Sequence, residues 1–178
     1  MEKEKIHLLK KELSSRAPKE LIEICLSLAK LKLENKEMLT YLLFDAENPI
    51  AYAQRLKQDI NAHFEVLNLH YYYATKSLRK VLRLIVKYSR FTKNKQGEIE
   101  LLLHFGSKFI ATIEKDTKHY PLLGLLLRSL NKSRLLIQKL HEDLRYDYVQ
   151  EYNALLLASK KHYLNWEHQL NKPEAIDF

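Results

Sequence analysis

The chain has 178 residues, 46% of them apolar, with only three Gly and four Pro. That length fits one domain able to bury a core without staples, and that composition excludes turn-rich β architectures. It carries 30 Lys and Arg against 22 Asp and Glu, a formal charge of +8, so an acidic partner is one of the classes its balance admits.

Apolar residues recur at helical spacing along almost the whole chain, and strand-like alternation is scarce. The start, MEKEKIHLLKKEL, lacks the apolar core of a signal peptide. A first helix near 2–14 carries Ile6, Leu9 and Leu13 on one side and stops at Ser14 and Ser15. Pro18 opens a second helix, where its missing N–H costs nothing, running to about Leu33. Cys25 is the single cysteine, so no internal disulfide forms. Its apolar neighbours Leu21, Ile22, Ile24, Leu26 and Leu28 make it an expected core thiol, compatible with a reducing cytosol. Asn35 is a candidate cap for a third helix near 36–46, unless the second and third are one bent helix.

Asn48-Pro49 is the clearest boundary, a capping side chain followed by a residue suited to the first helical position. The fourth helix then runs to about Leu67 and a fifth from about 70 to 91. Thr92–Gly97, TKNKQG, reads as a polar turn. A sixth helix spans about 98–116. Pro121 starts a seventh, reaching about 141, and the last runs from about 144 to 170. The longest apolar stretch, around Leu122–Leu127 and interrupted by Gly124, falls far short of the roughly 20 residues of a membrane span.

The fold class expected is all-α: seven or eight helices in antiparallel hairpins, as a bundle or a short α-α superhelix. A single helical domain covers 1–170, and 171–178 forms a loose C-terminal tail. The expected core contains Ile22, Leu26, Leu42, Leu78, Leu82, Ile85, Leu103, Ile110, Leu126, Leu136 and Leu155. Gly106 and Gly124 fall inside helical patterns, where close helix approach is the expected reason.

Charge is distributed unevenly. From Val66 to Gly97 there is no Asp or Glu, while the same stretch holds Lys76, Arg79, Lys80, Arg83, Lys87, Arg90, Lys93 and Lys95. The rest of the chain is balanced, 22 basic residues against 22 acidic. The first six of these cations recur on one face of the fifth helix, opposite a core stripe of Tyr71, Ala74, Leu78, Val81, Leu82 and Ile85. Tyr72 falls within the basic face, with Tyr73 and Phe91 at its edge. A cationic strip with aromatic neighbours suits phosphates and base stacking. The plainer alternative is a solvated face, or one paired with Glu142, Asp143, Asp147 and Glu151.

No catalytic constellation is legible. The eight histidines, His7, His63, His70, His104, His119, His141, His162 and His168, show no metal-ligand spacing on one helix. His141-Glu142-Asp143 reads as a solvated helix end, because neighbouring residues diverge in direction. Tyr148 and Tyr152, four apart, read as a core stripe with hydroxyls at its boundary. His162 and Trp166, also four apart, suit stacking. No Gly-rich phosphate loop is present, and no cofactor and no metal are expected.

The region Leu9–Leu43, with KKEL, KELIEICLSLAKL and ENKEMLTYLL, resembles a family of small bacterial helical proteins known only as a domain of unknown function. The stretch Lys76–Ile110, KSLRKVLRLIVKYSRFT followed by GEIELLLHFGSKFI, is similar in pattern to its middle helices, and Pro121–Leu140 to the next. The resemblance implies a helical, bacterial, cytosolic protein and brings no catalytic residues. The leading functional expectation is a non-enzymatic interaction or scaffold protein whose partner is another protein or a second copy of itself. Nucleic-acid binding through the basic helix 76–90 is the alternative, and an enzyme with an inter-helical site the third. A cytoplasmic location without membrane association is expected.

Overall fold

A computed structural model describes residues 5–163 and 172–177. Among them the chain is all-α, with eight helices and no strand. It divides into two compact units, residues 1–47 and 48–178, where one domain over 1–170 was expected. The division falls at the Asn48-Pro49 step, a point at which the helical hydrogen-bond ladder must restart.

The first unit contains α1 (Ile6–Ser14), α2 (Pro18–Leu31) and α3 (Leu33–Phe44). Pro18 begins α2, and the Glu20 carboxylate reaches back to accept from the Ala17 N–H at 3.0 Å. Lys32 is extended and separates α2 from α3, so these are two helices that pack on each other. Asn35 does not cap α3; its Nδ2 donates to the Leu28 carbonyl at 2.8 Å and closes the end of α2 instead. Tyr41 is the only buried residue described in this unit. The expected core positions Ile22, Leu26 and Leu42 are 60%, 50% and 52% exposed, and Cys25 is exposed too. Periodicity marks a helix's apolar face but not whether anything covers it.

The second unit contains α4 (Pro49–Glu65), α5 (Tyr71–Thr92), α6 (Lys95–Thr112), α7 (Tyr120–Ile137) and α8 (Glu142–His162). Asn48 caps α4 by accepting from the Ala51 N–H at 2.9 Å. The turn between α5 and α6 is shorter than TKNKQG suggests. Lys93 takes a left-handed conformation, and the Asn94 side chain accepts from Gly97 N–H, starting α6 at Lys95.

The hub is α6, which packs against α4, α5, α7 and α8. Ile99, Leu101, Leu102, Leu103, Phe105 and Phe109 are all buried, a helix apolar on nearly every side because it has neighbours on nearly every side. Leu78, Ile85, Leu103, Leu126, Leu136 and Leu155 are core residues, while Leu82 and Ile110 are half-buried against them. Gly106 lets α8 approach: a Cβ there would lie 2.8 Å from Leu155 Cδ2. Gly124 has no such neighbour within 4 Å, so close approach does not account for it.

The C-terminal residues expected to be loose are docked over 172–177. Ile176 is buried, its N–H donates to Asn153 Oδ1 at 3.0 Å, and its carbonyl accepts from Asn153 Nδ2 at 2.9 Å. Tyr152 donates to the Glu174 carbonyl at 2.9 Å, and Arg134 of α7 reaches the Glu174 carboxylate at 3.0 Å. Two buried apolar side chains, Pro173 and Ile176, together with satisfied backbone groups hold the short tail. Trp166 and His168 lie outside the described residues.

Candidate nucleic-acid interface

The inward stripe of α5 fixes where its cations point. Ala74, Leu78, Val81, Ile85 and Tyr88, spaced by fours and threes, are essentially fully buried against α4, α6 and α7. Phe91 is buried with them, not at the edge of the basic face, and Tyr71 is exposed instead of joining the core. Near the far end, Ser89 donates to the buried Glu98 of α6 at 2.6 Å, and Lys132 of α7 approaches the other Glu98 oxygen at 3.7 Å. The helix is therefore held on three sides, and its rotation is set.

The opposite face carries the cations. Lys76, Arg79, Lys80, Arg83 and Arg90 are exposed and Lys87 is half-buried, with Tyr72 exposed in the same row. Among the described residues, Lys76, Arg79, Lys80 and Arg83 have no ion pair and no side-chain hydrogen bond. None of the acids weighed as their cover, Glu142, Asp143, Asp147 and Glu151, pairs with these four cations among the described residues. Asp143 pairs with His141 at 3.1 Å, and Asp143, Asp147 and Glu151 line a different cleft. No acidic residue stands in the first turn of α5, whose N-cap, His70, provides no side-chain cap. The helix dipole thus adds positive potential at that end.

Four consecutive rings open α5. His70 stacks on Tyr71 at 4.5 Å between centroids, and Tyr71 meets His119 at 4.4 Å. Tyr72 and Tyr73 meet edge to face at 5.3 Å. All three tyrosines are more than half exposed.

A second polar cluster, not legible in the sequence, lies between α4, α6 and α8. Glu100 accepts from Lys57 Nζ at 2.8 Å and from Tyr148 OH at 3.1 Å. His104 Nε2 donates to Asn61 Oδ1 at 2.8 Å. Lys57, Glu100, His104 and Tyr148, with Asp143, Asp147 and Glu151, line a cleft of about 420 Å³. Burial, then the Glu100 charge, pushes Tyr148 up to about 12. Burial also raises the Glu151 carboxyl, and burial with the Lys57 and Lys108 charges lowers His104. The central hydrogen bonds close on one another, so the cluster ties three helices together. Its hydrogen-bonded partners lie more than forty residues apart in the chain, beyond any local spacing rule.

Of the remaining histidines, His7, His70 and His141 are exposed, and His63, His119 and His162 are half-buried. His162 bonds the Ile113 carbonyl at 3.0 Å. Among the described residues no group of three or more His, Cys, Asp or Glu is arranged to hold a metal, and no helix is long and apolar enough to cross a membrane. No protein-family model, curated protein or solved structure matches the chain.

Proposed function

We propose that this protein binds nucleic acid, gripping the phosphate backbone through the outward face of α5. The observation that carries the reading is the row Lys76, Arg79, Lys80 and Arg83, exposed and without an ionic partner among the described residues. Such a row releases counterions when phosphates replace them, which is the main source of sequence-independent affinity. Contacts to phosphate position a ligand without reading bases, so sequence preference is weak. Fluorescence anisotropy with labelled RNA and DNA at low salt tests it. The wild type binds, and the pair Arg79→Glu with Arg83→Glu does not, while circular dichroism stays helical. Absence of wild-type binding at low salt refutes the reading.

A second reading, a non-enzymatic protein-interaction role, is favoured by the first unit. There Ile6, Ile22, Leu31, Leu33, Leu43 and Phe44 are all at least 60% exposed, and exposed apolar surface of this kind is characteristic of association sites. Size-exclusion chromatography with light scattering tests self-association; a monomer at every concentration argues against a second copy as the partner.

A further inference from the structure

We infer that the ligand of the α5 strip is single-stranded nucleic acid, with a base stacked on Tyr72 and the following phosphates carried along Lys76, Arg79, Lys80 and Arg83. This rests on the nucleic-acid reading above and adds the strand state and the residue that recognises a base.

The inference comes from the placement of Tyr72. It stands four residues before Lys76, on the same face of α5, and is 58% exposed. Its ring is braced edge-on by Tyr73 at 5.3 Å, so it is oriented by a neighbour yet not covered by one. An exposed tyrosine ring at the head of a cationic row offers a flat apolar surface to an unpaired base, and every base has a face that fits it. A duplex keeps its bases stacked on one another and offers such a ring only its backbone and groove edges. From Tyr72 to Arg90 the face runs about 27 Å along the helix. That length accommodates on the order of four nucleotides, at the short end for single-stranded sites.

Three probes separate the outcomes: a short labelled oligothymidylate, an abasic oligomer with the same sugar-phosphate length, and a duplex. The thymidylate binds about 5- to 150-fold more tightly than the abasic strand, the range that one stacked base contributes. Tyr72→Ala brings the thymidylate down to the abasic level and leaves abasic binding unchanged, whereas Tyr72→Phe retains the difference. Arg79→Gln weakens both strands alike. Equal binding of thymidylate and abasic strand, or tighter binding of the duplex, overturns the inference and leaves the phosphate grip standing. No binding of any probe at low salt overturns both. The Tyr72 ring is solvent-exposed, and an unchanged thermal unfolding midpoint shows that the variant is folded.

Discussion

Replacing Gly106 and Gly124 separately by Ala should change stability with opposite signs, although both glycines occupy helix interiors. In each case the helix gains about 0.5–1 kcal/mol because Ala loses less backbone freedom on folding. At Gly124 nothing opposes the gain: an added Cβ meets no atom within 4 Å, and the Arg128 side chain still donates to the Gly124 carbonyl. At Gly106 the Cβ arrives 2.8 Å from Leu155 Cδ2 and 3.6 Å from Leu126 Cδ1, both on buried core leucines. Forcing a methyl into such a contact costs about 1–3 kcal/mol, so the net effect is a loss of up to about 2.5 kcal/mol. Urea denaturation followed by circular dichroism reads both variants, and an unchanged m-value certifies that the unfolding surface is the same. The gap between them is about 1–3 kcal/mol. A Gly106→Ala variant as stable as Gly124→Ala would refute the close packing of α6 on α8.

The docked tail and the polar cleft give two more. Asn153→Ala removes both bonds to the Ile176 backbone and costs roughly 1–3 kcal/mol; hydrogen exchange then accelerates at the Ile176 amide, and unchanged protection there would mean the tail is held by other contacts. His104 has its pKa lowered below 6.5, by burial first and then by Lys57 and Lys108. A depressed folded-state value means its contribution is complete above about pH 6.5 and is lost as pH falls below it. His104→Gln should flatten that part of the stability profile, measured by denaturation at several pH values, and an identical profile would contradict the shift.

What was legible in the sequence depended on local chemistry. Asn48-Pro49 announced the start of α4 because a cap and a first-turn proline act on their own helix end. The direction of the α5 face was legible for a different reason: a row of cations cannot be buried without partners at tolerable cost, so it faces water. Ile22, Leu26 and Leu42 show where such reasoning stops. They lie on a periodic apolar face, and coverage of that face depends on tertiary neighbours that spacing does not encode. The two glycines looked alike in sequence and differ only in what stands opposite. The tail is held by Asn153, whose role as a clamp for a backbone segment 23 residues onward has no sequence signature. The Lys57–Glu100–Tyr148 cluster was hidden in the same way, since three helices each contribute a residue with no partner nearby in the chain.

The central claim is that the α5 row binds phosphates, and the dependence of affinity on salt tests it most directly. For a single strand the logarithm of the affinity falls with that of salt by about 0.7 per neutralised phosphate. With four to six cations engaged the slope is about −3 to −4, a loss of roughly 50- to 300-fold between about 50 and 200 mM salt. Arg79→Gln should make that slope shallower by about 0.7 without changing its form. A steep slope that loses this increment in the variant is the predicted result; an affinity indifferent to salt, or a slope untouched by Arg79→Gln, would contradict the account.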